Sequence, residues 1–117
     1  MSLLTKGLII MVIIECIFIF AIETIIPKSK ATSKIFKIPL NELNNKYINT
    51  LIKNQGIYNL LLAPMLLVSL FYNSKLISSM ILIYIILVAI YGSITSQKKI
   101  IITQGGLPIL ALITLLF

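Results

Sequence analysis

Four apolar runs, each long enough to cross a bilayer and parted by polar stretches, constrain this chain more than any other feature. They cover residues 7–26, 55–72, 76–94 and 100–117. A membrane-spanning helix needs about 17–25 predominantly apolar residues. Barrel strands are about half that length and alternate with period two, which these runs do not. The separators Asn73-Ser74-Lys75 and Thr95-Ser96-Gln97-Lys98-Lys99 are short enough to force antiparallel neighbours. Residues 1–117 are therefore expected to form one all-α membrane domain, a bundle of four transmembrane helices with a basic, partly amphipathic first loop.

Composition agrees. Hydrophobic residues make up 59% of the chain and charged residues only 11%, against about a quarter charged in soluble domains. That is too little charge to cover a water-soluble surface. Glu15 interrupts the first run and no small-x-small cleavage site precedes Pro27, so the run reads as a retained span and not a signal peptide. The richness in isoleucine, lysine and asparagine points to an AT-rich bacterial genome.

A net charge of +7 raises nucleic acid as a partner, but the placement of the charge excludes it. All ten basic residues are lysine, and eight of them fall in the first and third loops. Loops with an excess of lysine stay cytoplasmic. The expected location is thus the bacterial cytoplasmic membrane, multi-pass, with loops 27–53 and 95–99 cytoplasmic and both termini outside. The partners expected are the bilayer, anionic headgroups at the lysine-rich loop, and a second copy of the chain or a larger membrane protein. With no His and the single Cys16, neither a metal site nor any cofactor is expected.

The first loop carries its own helical signal. Asn41 is a candidate N-cap, followed by Glu42 in the first turn and by Leu43, Tyr47, Leu51, Tyr58 and Leu62 at helical spacing. The second helix is accordingly expected to begin near residue 41, run along the membrane surface, and enter the bilayer near Gln55.

Depth follows from the rise of ~1.5 Å per residue. Glu15 falls near mid-bilayer, and Glu23 about 12 Å nearer the cytoplasm. Asn54, Gln55, Tyr58 and Asn59 stand at the cytoplasmic end of the second span, Tyr91 at that of the third, and Gln104 about one turn inside the fourth. These eight residues are expected to wall one buried polar pocket. Taken singly, Asn, Gln and Tyr inside membranes also serve as helix–helix contacts, worth roughly 0.6 kcal/mol per hydrogen bond. Gly56, Gly92, Gly105, Gly106 and Pro108 read as packing or hinge positions. Glu15 is the sharpest signal. A mid-bilayer carboxylate costs several kcal/mol unless it is paired, hydrated or protonated, and no lysine falls inside any span.

The series Glu15, Glu23, Asn54-Gln55-Gly56-x-Tyr58-Asn59, Tyr91-Gly92 and Gln104-Gly105 with a proline soon after resembles a bacterial family of small membrane proteins, catalogued as domain of unknown function 1304. The resemblance covers nearly the whole chain and implies a four-helix protein of the cytoplasmic membrane, with no activity attached. Two departures stand out: Glu15-Cys16 replaces the family's Glu-His, and Thr24-Ile25-Ile26 replaces an aromatic-rich stretch.

Three functions fit the residues. One is a carrier that binds or transports a small solute or proton at Glu15. Another is an accessory membrane subunit whose polar network specifies packing. The third is a membrane enzyme using Glu15 and Glu23 as acid and base, weakened by the distance between them.

Overall fold

The computed structural model of the protein describes every residue from Met1 to Phe117. Its elements are all helical: α1 (Leu3–Phe20) continued by a π-helical turn (Ala21–Ile25), α2 (Lys30–Phe36), α3 (Leu40–Leu43), α4 (Lys46–Phe71), α5 (Lys75–Thr95), α6 (Ile100–Thr103) and α7 (Gly106–Leu116). Three helical segments are long and apolar enough to cross a membrane, namely Leu3–Ile25, Lys46–Phe71 and Lys75–Thr95; Gly106–Leu116 is apolar but shorter.

Local sequence accounts for most of the boundaries. Ser2 caps α1 by accepting from the Thr5 amide, and Ser74 caps α5 through the Ile77 amide. The second long helix starts later than residue 41. Asn45, not Asn41, is its N-cap, accepting from the amides of Tyr47 and Ile48, and Leu40–Leu43 forms a separate single turn led by Pro39. Asn41 instead lies inside that short turn. Leu43 is fully buried under this turn.

The fourth apolar run is broken. It forms α6, then Gln104 and Gly105 outside helix, then α7. Pro108 lies in the first turn of α7, where amides have no intrahelical acceptor and proline costs nothing in hydrogen bonds.

The π-helical turn ends α1. Its Ile26 amide reaches back to the Ala21 carbonyl, and the chain then turns at Pro27, which cannot donate. Thr32, wholly buried, sets its one hydroxyl donor 2.8 Å from the carbonyl oxygens of both Ile22 and Ile26, which share it. The basic connector is thereby folded back onto the end of α1.

Packing is built on α1, which lies against α4 and α7; α5 lies against α4, α6 and α7. The core draws on Ile9, Val12, Ile13 and Cys16 from α1, Leu62, Ala63 and Leu66 from α4, Ile81, Leu82 and Ile85 from α5, and Ala111 and Leu115 from α7. Spacings of three and four residues put each set on one helix face. The outer faces are also apolar: Leu3, Ile14, Phe18, Leu67, Leu87 and Leu116 are all exposed.

Candidate functional site

The buried stripe of α1 carries the first carboxyl. Val12, Glu15, Cys16 and Ile19 stand three, four and seven residues apart, on one face. Together with Asn59 of α4, Ile85 of α5 and Gln104 they enclose a cavity of about 20 Å³. A space of that size holds about one water molecule. Glu15 is half-buried at its edge. Its carboxyl takes part in no side-chain hydrogen bond or ion pair, and it borders this cavity.

A second polar cavity of about 30 Å³ adjoins the first. Gln55, Tyr58 and Asn59 line it from α4, Tyr84 and Val88 from α5, and Gln104 from the break in the last apolar run. Asn59 and Gln104 border both spaces. Gln55, Tyr58, Asn59 and Leu62 fall three, four and seven residues apart on one face of α4; Leu62 is buried and Asn59 half-buried, whereas Gln55 and Tyr58 are exposed and reach the cavity from its rim.

Glu23 takes a different position. It is only 5% exposed, and its Oε1 accepts from Asn59 Nδ2 at 2.8 Å. The same Nδ2 donates to the Gln55 carbonyl at 3.3 Å. Glu23 does not border the Glu15 cavity. Asn59 thus links the two carboxyls, one through a hydrogen bond and the other across a cavity.

Close helix contact makes this arrangement possible. A Cβ on Gly56 would overlap Thr24 Oγ1 and stand 3.1 Å from the Cβ atoms of Glu23 and Thr24. Thr24 Oγ1 meanwhile donates to the Lys53 carbonyl at 2.9 Å. The π-helical turn therefore sits directly on α4 at Gly56, and only glycine leaves the room. At Gly105 a Cβ would come within 2.6 Å of the Ile101 carbonyl oxygen and 3.2 Å of Ala89 Cβ, so the break carrying Gln104 is also held by a close approach.

Of the predicted pocket residues, Glu15, Gln55, Tyr58, Asn59 and Gln104 line the paired cavities and Glu23 joins them through Asn59. Asn54 and Tyr91 do not: neither lines either cavity. Gly92 packs against Ile100, Pro108 is buried, and Gly106 faces open space.

Four contributors escape sequence reasoning. Tyr84 lines the second cavity and lies seven residues before Tyr91; that spacing was the available signal. Thr24 and Thr32 do their work through backbone carbonyls of other segments. Gln97 in the third loop has its Oε1 buried with no hydrogen-bond partner. No three His, Cys, Asp or Glu side chains come together in a way that could hold a metal ion.

Comparison with known proteins agrees with these motifs and adds no activity. Over its full length the chain is 48% identical to a relative of the same extent, described as "Uncharacterized protein YpaA", from Lactococcus lactis subsp. lactis (strain IL1403). No solved structure matches it. Residues 10–116 match the family described as "Protein of unknown function (DUF1304)", and the chain belongs to that family.

Proposed function

We propose that this is a small multi-pass protein of the bacterial cytoplasmic membrane in which Glu15 forms a hydrated binding site for a proton or a small cationic group. Apolar side chains cover its outer faces, and exposed apolar surface of that extent is paired with a bilayer or a partner. The α6–α7 pair, Ile100–Leu116, supplies a fourth pass of about 25 Å. The lysines of the first and third loops support a cytoplasmic position for those loops, beside anionic headgroups.

One observation carries the functional reading: Glu15, Asn59 and Gln104, from three separate segments, surround a water-sized cavity in an otherwise apolar core. A purely structural carboxyl at that depth is expected to be hydrogen-bonded or paired, as Glu23 is with Asn59. The cavity is too small for an organic solute, so in this conformation it serves a proton or water. A larger ligand requires the helices to part, and the break at Gln104-Gly105 is a discontinuity of the kind transporters use.

The accessory reading draws on the Glu23–Asn59 bond and the Gly56 contact, which are packing features. An acid/base pair draws nothing comparable, since the two carboxyls do not share a cavity.

Proteoliposomes containing a pH-sensitive dye test the proposal. A proton leak or solute-coupled proton movement in the wild type, absent in Glu15→Gln, is the expected result. Equal fluxes in both, or none in either together with stoichiometric copurification of a larger membrane protein, would put the accessory reading in its place.

A further inference from the structure

The geometry points to a lateral route from the lipid phase to the Glu15 site, used by an amphiphile with one apolar chain and a cationic or hydrogen-bond-donating terminus. This rests on the reading of Glu15 as a binding site and names the class of ligand that reaches it.

Between α4 and α5 runs an open apolar groove in two overlapping parts. One, of about 430 Å³, is lined by Pro64, Met65, Val68, Ile77, Met80 and Ile81. The other, of about 460 Å³, shares Met65, Met80 and Ile81 and extends to Tyr58, Leu62 and Tyr84. Volumes of this order are those of ligand pockets. Pro64 lies at the groove; its nitrogen cannot donate to the Leu60 carbonyl and its ring crowds the preceding turn. From Val68 to Tyr58 the groove follows α4 for about 15 Å.

What separates it from an ordinary lipid-facing furrow is where it ends. Tyr58, Leu62 and Tyr84 also line the cavity of Gln55, Asn59 and Gln104. Asn59 and Gln104 in turn border the Glu15 cavity. The three spaces thus follow one another through shared walls, from a wide apolar trough to a water-sized polar end. Two tyrosines stand at the junction, where a ring with an apolar body and a polar tip suits both sides.

The polar end selects the terminus. It offers the Glu15 carboxyl, which takes part in no ion pair, and the side-chain amides of Gln55, Asn59 and Gln104. A cationic or donor headgroup satisfies these groups, whereas a fatty-acid carboxylate would set like charges together. The apolar chain remains in the groove, and Met65 and Met80 adapt readily to chains of differing shape.

The test uses the full-length protein in lipid nanodiscs. Glu15 is labelled with dicyclohexylcarbodiimide, at a fixed pH where the unprotected site reacts, and read by peptide mass spectrometry. Dodecylammonium and ethylammonium are the competing probes. Dodecylammonium should protect Glu15 in the wild type at lower concentration than ethylammonium does. Met80→Trp, which fills the groove, should weaken protection by dodecylammonium about tenfold and leave that by ethylammonium unchanged. Partitioning of the long probe into the bilayer is the same for both proteins, so the comparison between them isolates the groove. Where Met80→Trp does not accumulate, Met65→Phe replaces it. Unchanged protection by dodecylammonium in the filled variant would overturn the lateral route while leaving the Glu15 site standing. Labelling that neither amine slows would overturn the binding reading itself.

Discussion

Replacing Gly56 with alanine sets two effects of opposite sign against each other. In a helix interior alanine is favoured over glycine by about 1 kcal/mol. Against that, the new methyl would overlap Thr24 Oγ1 and press on the Cβ atoms of Glu23 and Thr24 at 3.1 Å. Overpacking of this kind costs about 1–3 kcal/mol. Moving the Thr24 hydroxyl aside also breaks its 2.9 Å bond to the Lys53 carbonyl, for a further ~0.5–1.5 kcal/mol. Gly56→Ala should therefore be destabilising by about 0.5–3.5 kcal/mol in net terms. Unfolding in mixed micelles titrated with dodecyl sulfate, followed by circular dichroism, reads the difference. Gly7→Ala is the internal control: nothing lies within 4 Å of its Cβ position in α1, so it should gain up to about 1 kcal/mol. The double variant Thr24→Ala/Gly56→Ala removes the overlapping oxygen and should be more stable than the summed single effects by about 0.5–3 kcal/mol. A Gly56→Ala protein as stable as the wild type, or strictly additive single effects, would refute the close approach of the π-helical turn to α4.

Asn59→Leu should cost about 1–3 kcal/mol, because it strips a buried carboxyl of its 2.8 Å partner. Glu23→Gln retains an acceptor and should cost less; equal losses in the same unfolding assay would remove the bond from the account. Thr32→Val leaves the Ile22 and Ile26 carbonyls without their shared donor and should also lower stability by about 1–3 kcal/mol. Thr50→Val, whose hydroxyl bonds an exposed carbonyl of its own helix, should change it by under ~0.5 kcal/mol. For the proposed topology, Tyr72→Cys should react with an impermeant thiol reagent in intact cells and Lys34→Cys should not, and the opposite pattern would invert the orientation.

The apolar runs were legible because span length and helical period are local properties, written in consecutive residues. The cavity-lining set of α4 was equally legible, since Gln55, Tyr58, Asn59 and Leu62 repeat at helical spacing whatever surrounds them. Glu15 needed only the absence of lysine from the spans. At the start of α4 the sequence reading is wrong: it expects Asn41 as the cap, but Leu40–Leu43 folds into a separate turn with Leu43 buried, and Asn45 caps the long helix. The break at Gln104-Gly105 shows the same limit from another side. Two adjacent glycines inside an apolar run fit either a close-packed helix or an interrupted one, and the approach of Gly105 to Ala89 belongs to a helix elsewhere in the chain.

What the sequence determined by itself was therefore the all-α class, the long apolar helices, and which polar groups are expensive to bury. Tertiary structure decided how those polar groups divide. Glu15 and Glu23 share a helix and a leaflet in sequence, yet one faces a cavity and the other a hydrogen bond from Asn59. The π-helical turn contributes to this: an extra residue within one turn re-phases the helix face, and Glu23 lies in that turn, packed with Thr24 against α4 at Gly56. Periodicity carries no record of such contacts, because each partner is supplied by a different part of the chain.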